Sequence, residues 1–276
     1  MSTVTQAQQL PRLPHTGRIT QLRVAVSEWT KLRSLRSTRW SLLAAVLLTI
    51  LFPVLFAALT SSHWGSMSAH ERADRHPLDI ALAGVNISQL AIAVLGVLVI
   101  TGEYSTGMIR SSFAAVPKRL PVLWAKTAVF AVVAFVLMLP PVVIAFFASQ
   151  AILSRHHILQ ISLSDPGVAR SVIGGAVYLL LVGVFALGIG AIVRNTAGAI
   201  ATFAGIFFVV PPLMNILPSS WNHAISKYLP SEAGRQLFSL THDANSLSPG
   251  WGGLLFVGYC VLTLALAAVL LVRRDT

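Results

Sequence analysis

The chain has few acidic residues and one cysteine, and these shortages exclude several classes of protein. Nine Asp and Glu residues stand against twenty Lys and Arg, so the net charge is +11 over 276 residues. The single cysteine, Cys260, excludes a disulfide framework and a cysteine-based metal site. No Gly-x-x-x-x-Gly-Lys-Ser/Thr sequence occurs, so the chain has no phosphate-binding loop. Any uphill work would therefore need energy from another chain.

Catalytic side chains are missing from the apolar parts of the chain. Every acid and all eight histidines lie outside the six longest apolar segments, and Lys126, at the edge of the third, is expected to snorkel to the surface. Proton-driven carriers usually place ionisable residues inside the membrane, so this distribution argues against proton coupling. A metalloprotease needs two histidines one helical turn apart, and His70 and His76 have the wrong spacing. A serine nucleophile would find no histidine base within these segments.

What the sequence has in abundance is long apolar segments. Six of them exceed the roughly 20 residues that a helix needs to cross a hydrocarbon core about 30 Å thick. They are continuous Leu, Val, Ala and Ile sequences without alternation, which favours helices over barrel strands. The predicted spans are 40–60, 80–101, 127–150, 171–193, 197–217 and 252–272. The predicted fold class is therefore an all-α membrane protein with six transmembrane helices.

Basic residues are concentrated in alternate connecting segments. Fourteen of the twenty Lys and Arg residues lie in the segments 1–39, 102–126, 194–196 and 273–276. Because Lys and Arg near span ends are retained in the cytoplasm, both termini are predicted to be cytoplasmic. The basic charge then serves membrane topology beside anionic lipid, and without a soluble basic domain nucleic acid is not an expected partner.

Two segments precede the first span. Residues 1–18 are rich in Gln, Thr and Pro and are predicted to form a disordered cytoplasmic tail, and 273–276 form a second tail. Over 19–39, apolar residues recur every three or four positions among basic ones, which predicts an amphipathic helix in the membrane interface. The alternative is a helix packed on protein. The residues predicted to anchor this helix are Trp29, Lys31, Arg33 and Arg36.

Prolines are expected to distort several helices. Pro53, Pro140–Pro141 and Pro211–Pro212 remove backbone donors inside three predicted spans. Between the last two spans, 221–240 is too apolar for a free loop and too short to cross the membrane. Pro230 divides it into two predicted short helices, which either dip into the membrane or cap the bundle.

Two groups inside the spans are open to two interpretations each. Ala197, Ala201 and Gly205 place small residues four apart on the fifth span, which predicts either a dimer seam or ordinary internal packing. Asn86 and Gln89 share one face of the second span. They either line a path for substrate or only form hydrogen bonds across helices.

The segment between the second and third spans is the most distinctive part of the sequence. From Thr101 to Lys126 it reads TGEYSTGMIRSSFAAVPKRLPVLWAK. Met108, Ile109 and Phe113 occur at helical spacing and Pro117 ends the pattern, which predicts a short amphipathic helix on the cytoplasmic side. Such a helix presents its apolar side chains either to a soluble partner or to the inner leaflet.

This segment resembles the first cytoplasmic loop of bacterial type-2 ABC transporter permeases. That loop often carries an acidic residue, a Gly-Thr or Thr-Gly, a basic residue, a Pro-basic pair and a Lys leading into the third helix. The matching residues, in order, are Glu103, Thr106–Gly107, Arg110, Pro117–Lys118 and Lys126. The sequences SEWTKLRSLRSTRW (27–40) and KYLPSEAG (227–234) resemble the family's amphipathic N-terminal helix and its segment between the last two helices.

The resemblance implies a permease subunit in a bacterial cytoplasmic membrane. Such subunits pair with a second copy or a paralogue, dock a cytoplasmic ABC ATPase that holds ATP and magnesium, and export a lipid, drug or antibiotic, glycan or peptide. This chain would then hold no cofactor or metal and would not be an enzyme. The implied ATPase-coupling residues are Glu103, Tyr104, Thr106, Gly107, Met108, Ile109, Arg110 and Phe113. The alternatives are a membrane anchor or immunity protein and a membrane-embedded enzyme, neither with an ATPase partner.

Overall fold

The computed structural model describes residues 21–34, 36–73, 75–105, 119–155, 160–240 and 246–273, which contain helices and no strand. The helices are α1 Gln21–Ser34, α2 Arg36–His63, α3 Ala69–Ala73, α4 Pro77–Ser105, α5 Arg119–Arg155, α6 Val168–Val193, α7 Thr196–Ala204, α8 Val210–Met214, α9 Ser219–Ile225, α10 Pro230–Arg235 and α11 Pro249–Arg273. A π-helical turn at Gly205–Val209 joins α7 to α8. A 3₁₀ turn at Ser226–Tyr228 follows α9.

Six segments in the described part of the chain are long and apolar enough to cross a membrane. They are α2, α4, α5, α6, α11 and the combined segment α7–π turn–α8. The protein is therefore an all-α, multi-pass membrane protein, which confirms the predicted fold class.

The helix ends differ from the predicted boundaries. α5 is already helical at Arg119, before the predicted start at 127, and α2 is already helical at Arg36, before the predicted start at 40. The reason is that apolar composition marks only the lipid-embedded part, whereas helical hydrogen bonding continues into the polar flanks. The fifth span is shorter than predicted and ends at Met214.

The two ends of the bundle hold different elements. One end, which we call the α1 end, holds α1, the first turns of α2, α5 and α7 and the last turns of α4, α6 and α11. The opposite end holds α3, α9 and α10. The connections therefore sort into the same two sets that the distribution of basic residues defines.

α4 and α6 form the centre of the bundle. They come close because two glycines meet: a Cβ built on Gly96 of α4 would lie 2.2 Å from the carbonyl oxygen of Gly183 on α6. Small residues at helix contacts allow such approach, and van der Waals packing then holds the helices together in lipid. Large apolar side chains of the outer helices remain exposed, as expected for a lipid-facing surface, and examples are Leu51, Val132, Val136 and Leu262.

The segment between the last two spans caps the opposite end. Pro230 begins α10, as predicted, and α10 lies against α11, where a Cβ on Gly252 would lie 2.6 Å from the carbonyl oxygen of Ala233. Beneath this cap the Tyr178 ring lies between the rings of Phe238 and Phe256, at centroid distances of 5.1 and 5.8 Å. The cap is thus part of the hydrophobic core.

The predicted proline distortion takes a specific form in the fifth span. Pro211 and Pro212 donate no backbone hydrogen bond, and the preceding turn widens into the π turn, in which the N–H of Val210 bonds to the carbonyl of Gly205. Pro53 and Pro140–Pro141 lie within continuous helices.

Candidate functional site

Four charged side chains form a closed ring of ion pairs at the α1 end. Lys31 Nζ lies 2.7 Å from Glu28 Oε1 and 2.8 Å from Glu103 Oε1. Lys126 Nζ lies 3.0 Å from the same Glu103 oxygen and also contacts Oε2 of Glu28. This charge ring, made of Glu28, Lys31, Glu103 and Lys126, alternates acid and base and carries no net charge.

Three members of the charge ring are almost fully enclosed. Glu28, Glu103 and Lys126 are 2%, 5% and 3% exposed, while Lys31 is partly exposed. A buried charge without a partner costs several kcal/mol, so each carboxylate needs the ammonium groups beside it. The four residues come from α1, α4 and α5, and the ring therefore fastens α1 to the transmembrane bundle.

The expectation that Lys126 snorkels to the surface is wrong. Its ammonium group is enclosed and pairs with two carboxylates, because these partners replace the hydration that a surface position would provide. Glu103 in turn lies in the last turns of the spanning helix α4. The apolar segments lack ionisable groups, but the helices that contain them do not.

The electrostatics of the ring are visible in Lys31, which lies outside the spans. Burial by itself lowers the pKa of an ammonium group, but the hydrogen bonds to Glu103 and Glu28 and the negative charges of these two carboxylates together outweigh that effect. The pKa of Lys31 is therefore raised above its ordinary value of 10.5. Lys31 stays charged at every physiological pH.

A second set of contacts, the Arg194 cluster, holds the same turn of α4. Arg194 ends α6 in a left-handed conformation, with φ of 58°, and its Cζ lies 5.1 Å from the centroid of the Tyr104 ring. Its Nη2 donates to the carbonyl oxygen of Leu270 in α11, at 3.3 Å. At the start of α7, the Thr196 hydroxyl donates to the Thr101 hydroxyl, at 2.8 Å.

The charge ring and the Arg194 cluster converge on residues 101–104. Through side chains of this one turn, α4 is linked to α1, α5, α6 and α7, and Arg194 extends the connection to α11. Residues 106–118 follow directly after this turn. A movement of residues 101–104 would therefore be transmitted to five other helices.

The coupling residues predicted from the sequence divide into two groups. Glu103 and Tyr104 belong to the two clusters just described. Oε2 of Glu103 has no hydrogen-bond partner among the described residues, so one acceptor atom is left over near the end of α4. The remaining predicted coupling residues lie outside the described part of the chain, and they are Thr106, Gly107, Met108, Ile109, Arg110 and Phe113.

α1 combines the two alternatives that its sequence left open. Leu32 and Glu28 are buried, so one face packs on protein. Trp29, Arg33 and Arg36, the last at the start of α2, are exposed, as an interfacial position requires. Lys31 lies between the two environments and joins the charge ring.

The predicted dimer-seam residues lie on the outside of the bundle. Ala197 and Ala201 are exposed, and a Cβ on Gly205 would meet no atom within 4 Å. Internal packing is therefore not their role within the described structure.

Of the two predicted path residues, Gln89 is occupied by internal hydrogen bonds. Tyr178 Oη donates to its Oε1, and its Nε2 donates to the carbonyl oxygen of Asn86, at 2.8 Å. Gln89 is buried, whereas Asn86 is partly exposed. A hydrogen bond between α4 and α6 therefore explains the polar side chain of Gln89 at this buried position.

A polar cavity lies at the opposite end, beside the π turn and the proline pair. It has a volume of about 670 Å³ and lies between α8, α9 and α10. Its polar walls include Asn215, Asn222, Lys227, Glu232 and Gln236.

No group of three His, Cys, Asp or Glu side chains is placed to hold a metal ion within the described ranges, which omit His156, His157 and His242.

Sequence reasoning missed Glu28, Lys126 and Arg194 as parts of the site. The available signal was a mismatch of charge: Glu28 is the lone acid of an otherwise basic helix, and Lys126 is a lone base at the start of an apolar run. Two isolated charges of opposite sign near one end of a bundle are candidates to form an ion pair. Arg194 gave no such signal, because the contacts described for it are to a ring and a backbone carbonyl.

No family model and no curated protein matches this chain. The resemblance of residues 101–126 to the permease loop therefore remains a prediction.

Proposed function

We propose that this protein is the membrane-spanning permease subunit of an ATP-binding cassette exporter in a bacterial plasma membrane. Its termini lie in the cytoplasm, a second copy or a paralogue completes the pathway, and a separate ATPase supplies the energy. The exported substrate is a lipid, a drug or antibiotic, a glycan or a peptide.

The observation that carries this proposal is the convergence of the charge ring and the Arg194 cluster on residues 101–104. A subunit driven from outside needs a place where a push on one loop moves several helices together. Here residues 101–104 of α4 precede segment 106–118 in the chain and are linked by side chains to four other helices. The absence of a phosphate-binding loop from the sequence agrees with an external source of energy.

The outward-facing small residues support pairing with a second permease. Ala197, Ala201 and Gly205 form a stripe on the fifth span that lets another helix approach closely. The polar cavity between α8, α9 and α10 gives exported molecules a hydrated space at the end of the bundle opposite the ATPase.

Proton-coupled transport is the second candidate, because ionisable residues enclosed in a membrane bundle often serve proton relays. Glu103, with one carboxylate oxygen lacking a partner among the described residues, is the observation that favours it. Against it, the ring is fully paired in charge and lies at one end of the bundle, whereas a relay must reach across. We therefore favour mechanical coupling.

The test is reconstitution with the ATPase encoded beside this chain. We expect the two proteins to co-purify, and we expect Glu103→Gln to reduce ATP-driven transport by at least about tenfold, since removing one charge leaves the buried ammonium groups underpaired. Asp79→Asn, the same loss of one carboxylate charge at the other end of α4, is the matched control and should leave ATPase coupling intact, because Asp79 is exposed and forms no ion pair with a described residue. Replacing Met108–Arg110 by Ser-Ser-Ser should prevent co-purification.

Three results would reject the proposal. They are unchanged assembly and coupling after these replacements, activity of the purified chain by itself, and either terminus exposed outside the cell. Transport driven by a pH gradient without nucleotide would instead favour the proton-coupled alternative.

A further inference from the structure

A narrow groove lies at the α1 end between α1, the start of α2 and α5. It has a volume of about 250 Å³, and apolar side chains from all three helices form its walls. Leu32 comes from α1 and Leu42 from α2, while Val133 and Leu137 lie one helical turn apart on α5. The groove is large enough for part of a hydrocarbon chain.

Two arginines border the groove without a counter-charge. Arg33 and Arg39 are both exposed, and Nε of Arg39 donates to the carbonyl oxygen of Arg33, at 3.1 Å, which keeps the pair together. No acidic residue lines the groove in the described part of the chain, and neither guanidinium forms an ion pair with a described residue. The groove thus combines a cationic rim with apolar walls.

The apolar walls of the groove follow α5 away from the α1 end. Val133 and Leu137 lie seven and eleven residues beyond Lys126, or roughly 10 and 16 Å along the helix. The half-thickness of a hydrocarbon core is about 15 Å, so these walls fall at the depth of acyl chains in the leaflet at the α1 end. Trp29, which also lines the groove, is a residue type that favours the headgroup level.

We infer that this groove binds an anionic phospholipid of the leaflet at the α1 end. The phosphate accepts hydrogen bonds from Arg33 and Arg39, because guanidinium groups match phosphate oxygens in charge and geometry. One acyl chain lies against Leu42, Val133 and Leu137. Charge complementarity selects an anionic lipid over a zwitterionic one, since the rim offers two cations and no acid.

The bound lipid also affects the charge ring, because α1 carries both sites. Glu28 and Lys31 lie one turn apart on the side that meets α4 and α5. Trp29 and Arg33 lie one turn apart on the side that borders the groove. Binding of the lipid therefore stabilises the docking of α1, and this holds whether or not the protein works with an ATPase.

The test uses the purified full-length chain in detergent with added phosphatidylglycerol or phosphatidylcholine. Lipid retention is measured by native mass spectrometry, and the unfolding midpoint by a thermal scan. We expect retained phosphatidylglycerol and a raised midpoint, with little effect of phosphatidylcholine. Arg33→Gln and Arg39→Gln should each weaken phosphatidylglycerol binding about fivefold, the effect expected for one basic residue at a membrane surface.

Arg36→Gln is the matched control. Arg36 is also exposed and makes no ion pair with a described residue, but it does not line the groove. Unchanged binding in Arg36→Gln supports a specific site. Equal weakening in all three variants, or equal retention of phosphatidylcholine, would overturn the inference, because either result indicates nonspecific attraction to the surface.

A steric pair of variants tests the acyl-chain part. Leu137→Trp fills the groove and should abolish phosphatidylglycerol retention, whereas Val136→Trp, on the neighbouring lipid-facing position, should not. Unfolding midpoints without added lipid show that both variants are folded. Full lipid retention in Leu137→Trp would show that the groove is not where the lipid binds.

Discussion

At the scale of single residues, this protein encloses charges at the α1 end of its bundle. The charge ring is tolerated because each carboxylate faces an ammonium group at hydrogen-bond distance. Replacing all four members by apolar side chains would change the stability of the fold little, whereas the loss of one member leaves the others underpaired.

The first prediction concerns Lys126. Lys126→Met leaves Glu28 and Glu103 with a single shared cation, Lys31, and should lower the free energy of unfolding by about 3–5 kcal/mol. Thermal unfolding in detergent measures the change. Lys227→Met, at a site that forms no ion pair with a described residue, should cost less than about 0.5 kcal/mol. Equal midpoints for the two variants would mean that the ring is not structural.

The second prediction concerns alkaline pH. Because the pKa of Lys31 is raised in the folded protein, the unfolded chain loses this proton first as pH rises. The stabilisation is complete below the ordinary value of 10.5 and is lost as pH rises through the elevated pKa.

Thermal unfolding between about pH 9 and 11.5 compares the wild-type protein with Lys31→Met. The wild type should lose stability more steeply over this interval. Parallel curves would contradict the prediction, because they would show that Lys31 has the same pKa in both states.

At the scale of helices, glycine determines how closely the central pair approaches. The contact between Gly96 and Gly183 places the backbones of α4 and α6 against each other, and no side chain fits between them. The π turn plays a different part, since it accommodates Pro211–Pro212 without ending the fifth span. The glycine contact is a property of a helix pair, and the π turn is a property of the fifth span.

Gly96→Ala should therefore destabilise the bundle. Its Cβ would lie 2.2 Å from a backbone carbonyl, so α4 and α6 must separate, with an expected cost of about 1–3 kcal/mol. Gly258→Ala on α11 is the matched control, because a Cβ there meets no atom within 4 Å. That control should be neutral or should stabilise by up to about 1 kcal/mol through helix propensity. Unfolding midpoints of the membrane-inserted variants measure the difference, and equal midpoints would contradict the prediction.

At the scale of the whole molecule, the outer surface of the fifth span faces away from the bundle. If Ala197, Ala201 and Gly205 form the seam of a dimer, Gly205→Trp should convert the dimer to a monomer in detergent, as measured by light scattering after size-exclusion chromatography. Gly258→Trp, at an equally open glycine on α11, should leave the dimer intact. The same mass for both variants would assign the pairing surface elsewhere. A monomeric wild type would contradict the pairing itself.

Much of the architecture could be predicted because lipid imposes strict rules on sequence. Twenty-residue apolar segments must be helices, since no other open structure satisfies the backbone in hydrocarbon. The division of the segment around Pro230 was predictable for a similar reason, because proline cannot continue a helix interior. The exact ends of α5 and α2 were not, because helix continues into polar flanks that carry no apolar signal.

The sequence by itself determined the number of spans, the helical class and the grouping of basic residues, because each depends on neighbours along the chain. Only the tertiary structure decided that Lys126 is enclosed rather than snorkelling, that Glu28 is its partner, and that Gln89 is bound by Tyr178. These pairings join residues 98 and 89 positions apart. Their energies depend on which helices come together, and a one-dimensional pattern does not contain that information.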